Sequence, residues 1–270
     1  MGKHYLRRHK FSSTCAAFAA ACCALANIAN AAGLLGLESD GFLRTSNDRA
    51  DSAYILTLGP EFSGRSKTVE GKFDLRAMAF TSNISSITLE SRNAYIATSK
   101  ELMTEHQVTL GRRQIDWSKF DDTWKFGMWS PRFLWDPLRP DQIGLTGAFY
   151  QHESSTWRLT GYASPVAIPE RSYPVQNVAG RLSSPSPFFI PLPERLIVMN
   201  AQSVAINYNV KTPNYNEVIF RPNAAFQAKF GREKGFWASA GYAYLPIHQI
   251  DLAIEASLSI PSKTMNADIY

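Results

Sequence analysis

The mature part of the chain alternates apolar and polar residues with a period of two, again and again. In 68–79, Val69, Gly71, Phe73, Leu75, Ala77 and Ala79 fall on one side of an extended chain, opposite Thr68, Glu70, Lys72, Asp74 and Arg76. In 203–210, Val204, Ile206, Tyr208 and Val210 oppose Ser203, Ala205, Asn207 and Asn209. In 218–230, Phe220, Phe226 and Phe230 share a side opposite Arg221, Gln227 and Lys229. In 250–260, Ile250, Leu252, Ile254 and Leu258 oppose Asp251 and Glu255. This period is that of a half-buried strand, because successive side chains point to opposite faces. Helical periodicity is almost absent. The pattern predicts strands over 38–46, 52–62, 68–80, 86–97, 105–115, 143–152, 156–165, 200–210, 216–230, 235–244 and 248–260.

Several of these segments are longer than the ~5–6 residues of an average globular strand and match the ~9–11 of a transmembrane barrel strand. Aromatics recur near the ends of apolar faces, at Tyr54, Tyr95, Phe149, Tyr162, Phe230 and Tyr244, where interfacial girdles sit. The expected fold is all-β, an antiparallel transmembrane β-barrel of the outer-membrane type. A soluble sandwich or lipocalin-like barrel shows the same alternation and stays open as an alternative. Two connections are long. One is 116–142; the other, 166–199, holds Pro169, Pro174, Pro185, Pro187, Pro191 and Pro193, which break strands. Counted from a first strand at 38–46, these are the fifth and seventh connections, so both fall at one end, the outer end if the first strand runs outward; without that weak strand both turn inward. The odd strand count and the ending in NADIY leave two expectations open, a barrel incomplete as given or an atypical terminal region.

The first 31 residues read as a signal peptide: Lys3, Arg7, Arg8 and Lys10, an Ala-rich apolar run, then Ala29-Asn30-Ala31. A membrane anchor and a lipoprotein signal ending at Cys22 are the alternatives. Removal of that segment takes with it all three cysteines, Cys15, Cys22 and Cys23. The mature chain, 32–270, then offers no disulfide and no thiolate. Lys+Arg falls from 28 to 24 against 23 Asp+Glu, since residues 1–31 hold four cations and no carboxylate, leaving a net charge of about +1. The high isoelectric point therefore implies no nucleic-acid partner.

Asn93-Ala94-Tyr95-Ile96, followed by Val108-Thr109-Leu110-Gly111-Arg112-Arg113-Gln114-Ile115-Asp116-Trp117, resembles a recurrent hairpin of the alginate-export and phosphate-selective porin groups of Gram-negative bacteria. Gly144-Leu145-Thr146-Gly147 is similar to the strand start after the following loop. The resemblance is specific over roughly 90–150. It implies a solute-passing outer-membrane barrel and transfers no substrate; the second Arg and the Trp-rich loop depart from the family pattern.

The chemistry-bearing residues are sparse. His106, His152 and His248 lack the H-x-x-H or H-E-x-x-H spacing of a zinc site. His152 lies near Ser154, but without a G-x-S-x-G elbow this reads as a turn rather than a hydrolase. The polar faces offer Lys72, Arg76, Arg92, Arg113, Arg158, Arg221 and Lys229 against Glu70, Asp74, Glu90, Asp251 and Glu255 as lumen-lining charges. These either pair into cross-strand ladders or bias passage weakly toward anions. The loop 116–142 holds Trp117, Trp124, Trp129 and Trp135, with Phe120, Phe126 and Phe133. So many exposed aromatics would aggregate, so they must pack on something. Three readings remain: a folded-back constriction, a sugar-stacking path with Asp116, Asp121, Asp122 and Asp136 accepting hydroxyls, or a calcium site from the same carboxylates.

The expectation is a non-enzymatic, cofactor-free outer-membrane channel for small hydrophilic solutes, with membrane lipid as partner and homo-oligomers as one assembly. A closed barrel serving as a surface structural or interaction protein, with 166–199 facing the partner, is the alternative.

Overall fold

A computed structural model describes residues 30–46, 49–80, 83–124, 127, 129–186, 188–198, 202–211, 214–231, 236–247, 254–259 and 264–269. The expected signal segment lies outside these residues except for its last two, and His248 and Asp251 also lie outside them. The chain is all-β. Strands β1 (Asn30–Ser46), β2 (Arg49–Arg65), β3 (Val69–Phe80), β4 (Asn83–Thr98) and β5 (His106–Arg113) form a meander. A first insertion follows, with helix α1 (Lys119–Trp124) and two short strands, β6 (Arg132–Leu134) and β7 (Asp141–Gln142). The meander resumes with β8 (Leu145–Glu153) and β9 (Trp157–Ser164). A second insertion carries β10 (Arg171–Ser172), β11 (Gln176–Val178), β12 (Arg181–Ser183), β13 (Arg195–Val198), β14 (Gln202–Val210) and helix α2 (Tyr215–Ile219). Then β15 (Asn223–Gly231) and β16 (Trp237–Tyr244) complete a nine-stranded antiparallel sheet in the order β1-β2-β3-β4-β5-β8-β9-β15-β16.

The sheet is open. Among the described residues its edges, β1 and β16, do not pair with each other, so the described strands do not close into a barrel. Two other expectations are corrected. The strand at 200–210 forms, but in a separate four-stranded sheet, β13-β14-β18-β17, with β17 (Ile254–Ser259) and β18 (Thr264–Ile269). There β14 and β18 run parallel and bury Ile206, Tyr208, Ala267 and Ile269 together. The strand expected at 216–230 begins only at Asn223. Its first residues form α2, whose N-cap Asn214 accepts a hydrogen bond from the Asn216 N–H, and Pro222 then denies the ladder a donor.

From β2 to β5, and on β9 and β15, the alternation has inverted polarity. On β5, Gln107 and Thr109 are 5 % and 1 % exposed, whereas Val108 and Leu110 are 41 % and 62 % exposed. The same phase puts Leu56, Leu58 and Phe62 of β2 and Phe226 and Phe230 of β15 in the open. It buries Thr57, Asp74, Glu90, Asn93, Thr160 and Gln227. A soluble sheet buries its apolar face; here the polar face is covered and the apolar one bare.

Two irregularities tune this phase. Asp74 pairs with Asn93 and Leu75 with Ser91, so Arg92 is an extra residue, a β-bulge that turns its side chain to the covered face. Gly111 has φ of +119°, and a Cβ there would lie 2.3 Å from the Ala94 carbonyl oxygen, so only glycine fits. The kink lets both Arg112 and Arg113 reach the covered face.

Strict antiparallel register places the turns 66–68, 99–105 and 154–156 at one end and both insertions at the other. The fifth and seventh connections thus share an end, as the count of strands predicts. Both insertions fold onto the covered face. Phe133, Trp135 and Ile143 of the first insertion pack on Ile55, Met78 and Phe80, joined by Tyr173 and Phe188 of the second. Trp117 packs on Leu145, Phe149, Tyr162 and Ala225. The insertions also pair with each other, β10 running parallel to β6 with Arg171 opposite Phe133. Phe149 and Tyr162, expected in an outer girdle, are therefore buried on the inside, and Tyr95 also turns inward, beneath the Arg113 guanidinium at 5.2 Å.

Candidate functional site

The covered face carries a ladder of charges laid across neighbouring strands. Lys72 pairs with Glu61 at 2.7 Å and Arg65 with Glu70 at 2.9 Å. The carboxylate of Asp74, 3 % exposed, accepts from Arg92 at 2.8 Å, and Arg76 lies 3.9 Å from it. Glu90 is held on both oxygens, by Arg112 and by Arg171 of the second insertion. Arg113 donates to Gln107 and Thr109, and Gln107 donates to Glu70 at 2.7 Å. The structure thus brings Glu70, Lys72, Asp74, Arg76, Glu90, Arg92 and Arg113 together, mostly as cross-strand pairs. Such a network holds a polar interior rigid where buried charges keep partners, as Asp74 and Glu90 do.

Side-chain amides tether the first insertion to this wall. Asn93 and Gln114 form a reciprocal pair: the Asn93 amide donates to Gln114 Oε1 and the Gln114 N–H to Asn93 Oδ1, both at 2.9 Å. Gln114 also donates to the Gln142 carbonyl, and Gln227 to the Trp117 carbonyl. The Arg92 carbonyl, freed by the bulge, accepts from the Gly144 N–H at 3.1 Å. The insertion therefore leaves and rejoins the sheet at fixed points.

Between insertion and wall, toward the end from which both insertions leave, lies a cavity of about 180 Å³. Its floor is Ile55, Met78, Phe133 and Trp135. Its charged lining is Glu38, Asp40, Asp136 and Asp141 with Arg76, Arg92 and Arg139. Arg139 reaches from the insertion to β1, where it pairs with Asp40 and lies 3.7 Å from Glu38. The hydrogen bond to Asp40 raises the guanidinium pKa above its ordinary value. Arg92 bridges Asp74 and Asp141, the latter at 3.5 Å. Four carboxylates and three guanidiniums give the lining a charge of about −1, so the slight excess of cations read from the strand faces does not carry over to this cavity.

Other expected residues lie elsewhere. Arg158 pairs with Glu153 at the short-turn end, and Lys229 sits on β15 in the inward phase. Arg221 is in the connection after α2, where its Nε donates to the Glu217 carbonyl, and Glu255 is on β17 of the second sheet; neither belongs to the covered face. Of the four tryptophans, Trp117 and Trp135 are buried and Trp129 half-buried, whereas Trp124 on α1 is 68 % exposed with Phe120 beside it. The aromatics of α1 thus stay largely exposed, unlike Trp117 and Trp135. Among the described residues the Asp set of the loop does not gather into a cation site. Asp136 instead accepts from the Leu138 N–H and pairs with Arg139. Asp121 is buried after Ser118, whose hydroxyl accepts from its N–H, and Asp116 stands half-buried next to Trp117.

Sequence reading missed Glu38, Asp40, Asn93, Arg112, Gln114, Arg139, Asp141, Arg171 and Gln227. Of these, Asn93, Arg112 and Gln114 stood in the family-like hairpin without an assigned role, and Arg139 is the cation of a Pro-containing stretch in a loop already singled out. Comparison with protein-family models, with curated proteins and with solved structures finds no match to this chain.

Proposed function

We propose that the nine-stranded sheet is the wall of an outer-membrane β-barrel that passes small hydrophilic solutes by diffusion, the first insertion narrowing its polar interior. The observation that carries this reading is the inverted polarity. Leu56, Leu58, Ile96, Leu110, Phe226 and Tyr242 stand bare on one face while Asp74, Glu90 and their arginines are covered on the other. Bare apolar strands suit hydrocarbon, and a charged interior suits water. No helix among the described residues is long and apolar enough to cross a membrane. The signal segment, the barrel's closure and the outer-membrane location belong to the same proposal.

Planar-bilayer recording on the detergent-purified chain tests it. Discrete steps that scale with salt are expected, with a larger step for Arg139→Ala, which removes the side chain spanning the cavity. Silence from a sample shown to be folded would move the reading to a closed barrel acting as a surface structural or interaction protein. One observation favours that second reading. Trp117 and Trp135 are buried against the wall and the two insertions pair through β6 and β10, which fills part of the interior.

A further inference from the structure

We propose that Glu105, His106 and His152 form a binding site for a divalent transition-metal ion of the zinc, nickel or copper class. The site is distinct from the charged interior and stands whether or not the sheet lines a channel. His106 opens β5 and His152 lies next to the end of β8, and the two are direct partners in the antiparallel ladder. Directly opposed residues share a face with their Cβ atoms ~4.5–5.5 Å apart, close enough for two imidazoles to converge. The phase places them on the bare face, His106 with Val108 and Leu110, His152 with Ala148 and Tyr150.

The geometry fits an ion. The two Nδ1 atoms lie 3.2 Å apart. Two nitrogens held ~2.0–2.1 Å from a tetrahedral metal are separated by ~3.3–3.4 Å, so the pair needs little adjustment to share one ion. Glu105 precedes the strand, in the bend that closes the 99–105 turn, where alternation no longer constrains it. Its carboxylate and the two imidazoles all offer ligand atoms within 4.8 Å of one another. Its carbonyl also accepts from the Glu153 N–H at 2.8 Å, which fixes the turn against β8.

The hydrogen bonding of the pair is crowded. His106 Nδ1 has the Tyr150 hydroxyl at 2.7 Å as well as His152 Nδ1 at 3.2 Å. A ring nitrogen carries either one proton or one lone pair, so it cannot serve both neighbours fully. A cation accepts both nitrogen lone pairs at once, which resolves the conflict. The nearby cations Lys100 and Arg158 are both held by Glu153, which turns them toward that carboxylate. Two imidazoles with one carboxylate suit borderline ions rather than calcium or magnesium, which take oxygen ligands. An ion there ties together the 99–105 turn, β5 and β8, and so clamps one rim of the sheet.

The test is titration of the untagged full chain in detergent with Co²⁺, followed by visible absorption, and with Zn²⁺ by calorimetry. We expect a tetrahedral cobalt spectrum that zinc displaces. Affinity should fall by at least about tenfold in His106→Gln and in His152→Gln, since even groups that only support a ligand cost that much. Zinc should raise the melting temperature of the native chain and not of these variants. Glu105→Ala, on an exposed turn, keeps the test usable if a histidine variant does not fold, and should also weaken binding. No cobalt spectrum and no heat with millimolar zinc would overturn the proposal. So would unchanged affinity in folded variants of all three positions.

Discussion

Arg171 of the second insertion donates from Nη1 to Glu90 Oε2 at 2.9 Å, while Arg112 holds the other oxygen of the same carboxylate. One buried carboxylate thus joins β4, β5 and the insertion. Glu90→Gln would leave Arg112, only 14 % exposed, without its anion. Breaking a buried pair costs about 3–5 kcal/mol, and that loss is expected in the denaturant midpoint. Arg171→Gln is expected to cost less than about 1 kcal/mol, because its side chain is half exposed and the pair is screened. Equal losses for the two would refute this ordering.

Ile96 and Leu110 face each other across β4 and β5, each more than 60 % exposed. Replacing either with Arg separates a lipid-facing wall from a soluble sheet. Facing the middle of a bilayer the change costs about 2–4 kcal/mol, whereas at a water-exposed surface it stays within about 0.5 kcal/mol. Refolding equilibria in phospholipid vesicles are expected to give the larger value.

Gly111→Ala puts a Cβ 2.3 Å from the Ala94 carbonyl at a φ of +119°. The backbone must move, and with it the turn of phase that brings Arg112 and Arg113 inside. A loss at or above about 1–3 kcal/mol is expected. A variant with native stability would mean that the β4–β5 ladder relaxes freely at this point.

Trp135 stacks on Phe80 with ring centroids 4.6 Å apart and planes 14° from parallel. Trp135→Ala is expected to cost about 3–5 kcal/mol and, if the insertion narrows a pore, to enlarge the single-channel step. Trp124→Ala, on exposed α1, is expected to stay within about 0.5 kcal/mol. The contrast, read by unfolding and by conductance of the same two samples, separates packing from obstruction.

Much of the wall was legible in the sequence. A period of two is a local property of the extended chain, so strands such as 68–80 and 105–115 announce themselves within a few residues. The alternation of Val108 and Leu110 with Gln107 and Thr109 even separates the two faces. It does not say which face is covered, because a soluble sheet and a membrane wall share one pattern and differ only in what they meet. The insertions were legible as loops, from Pro and aromatic content, but not their destination.

What the sequence determined by itself is most of the extended segments of the main sheet, their two faces and the shared end of the two long connections. Each of these follows from side-chain alternation and strand parity. Only the tertiary structure decided that 202–210 leaves the main sheet to pair in parallel with 264–269. It also decided that Arg92 and Arg112 turn inward at a bulge and a glycine, that Arg171 meets Glu90, and that His106 meets His152. These depend on register between segments distant along the chain. A shift of one residue exchanges the faces of a strand, so such pairings are fixed by the whole assembly and not by any stretch of it.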